Sequence, residues 1–96
     1  MDATAQGTSL GWLKGEVRDA SNGELVPFAR IEVLCGPELW VGMTDFDGQY
    51  TLRVPPGPFV IRLDAKGYLM YRTSGIADET RISFLNVDLE RMKKLP

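Results

Sequence analysis

Two carboxylates one residue apart, Asp45 and Asp47, precede Gly48 near the middle of a 96-residue chain. Paired carboxylates can hold a cation or divide acid and base roles. A calcium ion needs roughly six to eight oxygens, and the EF-hand loop sets glycine at its sixth position and a bidentate glutamate at its twelfth. Counted from Asp45, those positions are Tyr50 and Pro56. The spacing does not fit. Glycosidase-type pairs face each other across a cleft at about 5 Å or more, which two residues of one tight turn do not. The remaining reading is structural. An Asp side chain accepts backbone N–H groups inside the turn, and Gly48 adopts a conformation costly for other residues. Asp45, Asp47 and Gly48 are therefore expected to form a corner, with no metal and no other cofactor.

The rest of the chain offers little for catalysis. It has no histidine, which removes the commonest general base and the partner that activates a serine or cysteine. Cys35 is the single cysteine. It lies in the apolar run Ile31–Cys35 and reads as a small buried hydrophobe. Trp12, Trp40, Tyr68 and Tyr71 offer large rings that either fill the core or meet a partner. Trp40 shares no parity with a core set, so Trp40 and Tyr71 are the candidate partner or glycan contacts. Arg18, Arg53, Arg62, Arg72 and Arg81 fall on outward positions and read as a solvated surface.

The elements that position these residues follow from alternation. Leu13, Gly15 and Val17 alternate with Lys14, Glu16 and Arg18, the period of a half-buried strand. Asn22-Gly23 marks a turn. Ala29, Ile31, Val33 and Cys35 share the next inward face, and a hairpin through Gly36-Pro37 leads to a strand over Leu39–Thr44. Tyr50, Leu52 and Val54 form the cleanest alternation, ended by Pro55-Pro56-Gly57. Phe59, Ile61, Leu63 and Ala65 face inward next. Leu69–Ile76 is weaker and more polar, as at a sheet edge. Thr80–Glu90 closes the series with a phase change at Phe84-Leu85, where a bulge would return both apolar sets to one core.

This pattern predicts an all-β fold, a seven-stranded antiparallel Greek-key sandwich over residues 10–90. Residues 1–9 read as a flexible lead-in and residues 91–96 as a frayed basic tail. The net charge of −2 and the lack of a basic face exclude nucleic acid as an expected partner. No apolar run reaches the roughly 20 residues of a membrane helix, and the N-terminus lacks the features of a signal peptide.

The ordered segments Gly15–Asp19, Gly23–Val33, Thr44–Leu52, Val54–Gly57, Lys66-Gly67-Tyr68 and Val87–Leu89 together resemble the carboxypeptidase regulatory-like domain. The resemblance spans Leu13–Glu90. It implies a transthyretin-like (prealbumin-like) sandwich that is non-catalytic. It departs from the usual pattern at Phe28, where a small residue, often glycine, is common. Related folds that act as enzymes rely on histidines, which this chain lacks. The resemblance implies an accessory or interaction module of a larger bacterial envelope or secreted protein. The N-terminal extension of a TonB-dependent outer-membrane receptor is the leading setting. A stabilising module of a metallocarboxypeptidase and a carbohydrate- or surface-adhesion module are the alternatives. Expected partners are other domains of the parent protein and periplasmic or envelope proteins. The expected location is periplasmic, outer-membrane-associated or extracellular. Both ends of the chain look like cuts from a longer polypeptide.

Overall fold

The computed structural model describes residues 10–93; the proposed lead-in over 1–9 and the last three residues lie outside them. Eight strands follow in order: β1 (Gly11–Asp19), β2 (Arg30–Cys35), β3 (Glu38–Met43), β4 (Gln49–Val54), β5 (Gly57–Asp64), β6 (Tyr71–Ala77), β7 (Ile82–Phe84) and β8 (Val87–Leu89). They form two sheets. In the first, β1 lies between β4 on one side and β7 and β8 on the other. In the second the order is β3-β2-β5-β6.

The alternation read from the sequence produces the core. Leu13, Val17, Val54 and Tyr50 of the first sheet meet Ile31, Val33, Phe59, Ile61 and Leu63 of the second, and all are buried. Each such side chain contributes roughly 1.5–3 kcal/mol when fully removed from water. Where Gly42 of β3 carries no side chain, Leu52 of β4 fills the space. Cys35 is buried at the end of β2, and β6 is an edge strand.

Two expectations change at the C-terminal end. The segment read as one antiparallel strand is two short ones, and both pair with β1 in parallel. There is no bulge either, because the register from Trp12–Ile82 to Val17–Val87 keeps one constant offset. Ile82 and Phe84 point outward and are exposed, while Leu85, Val87 and Leu89 turn inward. The apparent phase change came from counting two surface residues as core.

The ladder is interrupted between β7 and β8 by a switch of partners. Leu85 N–H donates to the Lys14 carbonyl at 2.8 Å, but the Leu85 carbonyl accepts the Tyr50 hydroxyl at 2.6 Å. The Asn86 side-chain oxygen takes up the Glu16 N–H at 3.0 Å instead. Gly15 permits this crossing, since a Cβ there would lie 1.8 Å from the Leu85 oxygen.

Candidate functional site

The loops at one end of the sandwich gather the residues that sequence spacing singled out. The β3–β4 loop is a tight corner held by Asp45. Its Oδ1 accepts the N–H groups of Asp47 and Gln49, each at 2.9 Å. Asp45 N–H donates to the Gln49 carbonyl and Gly48 N–H to the Asp45 carbonyl. Gly48 has φ 70°. Asp47 supplies only its backbone N–H to the corner and leaves its carboxylate exposed. Among the described residues, no group of three His, Cys, Asp or Glu side chains gathers where a metal ion would sit.

Thr44 ties this corner to the β1–β2 loop. It is buried. Its hydroxyl accepts the Ala29 N–H at 2.7 Å and donates to the Val26 carbonyl at 2.9 Å. Phe28 N–H donates to the Thr44 carbonyl at 3.1 Å. Phe28 itself has φ 60°, the left-handed conformation that disfavours side chains. This explains why glycine suits the position. The ring is not tucked away. Phe28 is 54% exposed, Phe46 is 82% exposed, and the two rings meet edge to face with centroids 5.0 Å apart. Sequence reading passed over this pair because the rings belong to separate loops. The departure at Phe28 was the only signal.

At the same end, Asp19 is 1% exposed. Its carboxylate accepts the Ser21 N–H and hydroxyl, the Tyr68 hydroxyl and the Arg91 guanidinium. These bonds, led by that from the Ser21 hydroxyl, hold it well below the usual carboxylate range. The group is structural, since its acceptor positions are filled by bonds that tie together three chain segments. Arg91, read as the start of a frayed tail, is bound here. Met92 N–H donates to the Gly67 carbonyl.

The candidate contacts Trp40 and Tyr71 lie elsewhere. Trp40 pairs with Val33 and Tyr71 with Leu63, so both point inward. Both are half-buried against the core, which corrects the expectation of an exposed Trp40 ring. Among the described residues, the buried Trp40 indole N–H has no hydrogen-bond partner. The more exposed tryptophan is Trp12, whose ring lies under the Arg53 guanidinium at 4.3 Å. Cys35 has a thiol pKa raised by burial and then by the Glu38 charge, opposite to what a nucleophile needs.

The outer face of the second sheet carries a series of exposed apolar side chains. On β3 the pattern is inverted: Leu39, Val41 and Met43 face out, while Trp40 and Gly42 face in. Leu34, Leu39, Met70 and Ile76, all exposed, border two adjoining hollows of about 420 and 630 Å³, the first of which is lined by Glu32, Arg62 and Arg72 as well. The hollows share Leu34 and Val60. Glu32, bonded to Arg30 at 3.0 Å, lies on the same face.

Such a molecule, with an apolar core between two sheets and further apolar side chains on its surface, is a β-sandwich. The chain belongs to the carboxypeptidase regulatory-like domain family, whose profile matches residues 13–90. No curated protein matches the chain. Among solved structures, the TIE protein of Bacillus anthracis matches with TM-score 0.74 and 19% identity, over 86% of this chain and 17% of that one. Catechol 1,2-dioxygenase of Acinetobacter radioresistens matches with TM-score 0.73 and 15% identity, over 98% and 56%. The minor pilin GBS52 of Streptococcus agalactiae matches with TM-score 0.65 and 14% identity, over 92% and 48%. At these identities the likeness is one of fold. The chain spans little more than half of these proteins at most.

Proposed function

We propose that this domain is a docking module of a larger cell-envelope or secreted protein and that it packs against another domain of its parent through the outer face of the second sheet. The N-terminal extension of a TonB-dependent outer-membrane receptor is the setting we favour, with periplasmic coupling or signalling proteins as further partners. The observation that carries the docking reading is the inverted β3. A strand that exposes Leu39, Val41 and Met43 while facing glycine inward is poorly suited to water. Exposed apolar patches of this kind mark interaction surfaces. Family membership and the partial coverage of the longer matching chains support a module rather than a free-standing protein. The receptor setting rests on the resemblance alone.

The test uses the parent protein. Leu34→Lys with Val41→Lys should loosen the contact, so that protease cuts faster between this domain and its neighbour while the domain's own melting temperature stays within a few degrees. Unchanged cleavage removes the docking reading. For the setting, the parent reading frame should continue into a plug and barrel. An upstream domain with zinc-binding His and Glu would favour the carboxypeptidase alternative.

A further inference from the structure

We propose that Phe28 and Phe46 form a paired aromatic anchor that seats in an apolar cleft rimmed by Lys and Arg on a partner protein. The two rings share the loop end with exposed Leu25, Leu69 and Met92, and Phe46 exceeds every other large hydrophobic residue in exposure among the described residues. Exposed aromatic pairs of this size are costly in water and are the side chains that dominate protein interfaces.

The backbone beneath both rings is held in place before any partner arrives, and the rings meet each other edge to face. Phe46 rides on the corner closed by Asp45, and Phe28 is fixed through Thr44. Fixing side chains in advance lowers the entropy lost on binding. Phe28 also retains a left-handed backbone that glycine would occupy more easily. A bulky residue kept at such a position points to a use for its side chain.

Charge selects the partner. Residues 20–29 and 44–48, the two loops, contain Glu24, Asp45 and Asp47 and no Lys or Arg. The cations that flank the first loop are each bound to a carboxylate, Arg18 to Glu16 and Arg30 to Glu32. The two loops that carry the rings therefore form an acidic rim, with Lys66 and Arg91 on the neighbouring turn and tail and Arg91 bound to Asp19. That rim repels anionic lipid and nucleic acid and attracts a basic protein surface.

The test is selection of a random twelve-residue phage-displayed peptide library on the immobilised 96-residue chain, with counter-selection on Phe46→Ser. Enriched peptides should combine aromatic or aliphatic residues with two or more Lys or Arg. Synthetic copies should bind at least about tenfold more weakly to Phe46→Ser and to Phe28→Gly, as expected for anchor residues. They should bind a few-fold more weakly to Asp47→Asn, and more weakly as salt rises. Both ring variants should keep the wild-type circular dichroism spectrum, and Val41→Lys should leave binding unchanged. That last result separates this surface from the sheet face. The proposal is overturned if no enriched peptide depends on Phe46, or if enriched peptides lack cations. It is also overturned if phosphatidylcholine–phosphatidylserine vesicles bind through Phe46 while peptides do not.

Discussion

Replacing Gly15 by alanine tests the first sheet most directly. Gly→Ala at an unstrained site usually stabilises by about 0.4–1 kcal/mol, because the unfolded chain loses freedom. Here the sign should reverse. The new Cβ would lie 1.8 Å from the Leu85 oxygen, 2.7 Å from its carbonyl carbon and 2.9 Å from a ring carbon of Tyr50. The close atoms are backbone and a buried ring, so the strand crossing itself must move. Overpacking costs about 1–3 kcal/mol. Displacing the Leu85 carbonyl also strands the Tyr50 hydroxyl, for about 1–3 kcal/mol more. The sum centres near ~4 kcal/mol, a large part of the roughly 5–14 kcal/mol available to a domain of this size. At about 4–8 °C per kcal/mol, the melting temperature should fall by about 15–30 °C. Urea unfolding and calorimetry measure the loss, and a double-mutant cycle with Tyr50→Phe locates it. Tyr50→Phe should cost much less in the alanine background than alone. A melting temperature within about 4 °C of wild type, or additive costs, would refute the account of this crossing.

Three further outcomes follow from the loop end. Asp45→Ala should cost about 1–2 kcal/mol because two backbone donors lose their acceptor, while Asp47→Ala stays within about 0.5 kcal/mol; equal effects in urea unfolding would contradict the asymmetry. At position 28, glycine should be more stable than alanine by about 1 kcal/mol. Relief of a left-handed backbone, about 1–2 kcal/mol, outweighs glycine's greater unfolded entropy, and thermal melts showing alanine ahead would reject a strained Phe28. Asp19 has a depressed folded pKa, so its contribution is fully present above the unfolded carboxylate value of about 3.8 and is lost as pH falls below it. Its carboxyl carbon should still report the ionised form at pH 3 by NMR, and Asp19→Asn should flatten the acid limb of stability. Titration of that carbon near pH 4 would break the argument.

Much of the fold was legible because alternation is local. The inward set of Ala29, Ile31, Val33 and Cys35 needs only the chain's own period, as does that of Phe59, Ile61 and Leu63. The failures share one cause. On β3 and β7 the apolar residues face water, so hydrophobicity stopped marking the inside: Leu39, Val41, Ile82 and Phe84 are all exposed. That displaced Trp40 from the core and suggested a bulge the register does not contain. Parallel pairing of β1 with β7 and β8 was unreadable for another reason, since partner choice depends on residues about 70 positions apart. The candidate surface split in the same way. The Asp45 corner is encoded in five consecutive residues. The Phe28–Phe46 contact and the binding of Arg91 to Asp19 arise only when separate loops are brought to one end.

The parallel placement of the first and last strands also determines how the domain bears load. The chain enters β1 at one end of the sandwich and leaves β8 at the other, with the two strands side by side. Tension between the flanking segments would draw β1 and β8 past each other lengthwise. The paired positions from Trp12–Ile82 to Asp19–Leu89 would then be sheared together instead of peeled apart one by one, after the Arg91 tie to Asp19 gives way. Rupture would depend on the unfolding rate more than on equilibrium stability. The same eight strands with an antiparallel last strand would have both ends at one edge and would open like a zip.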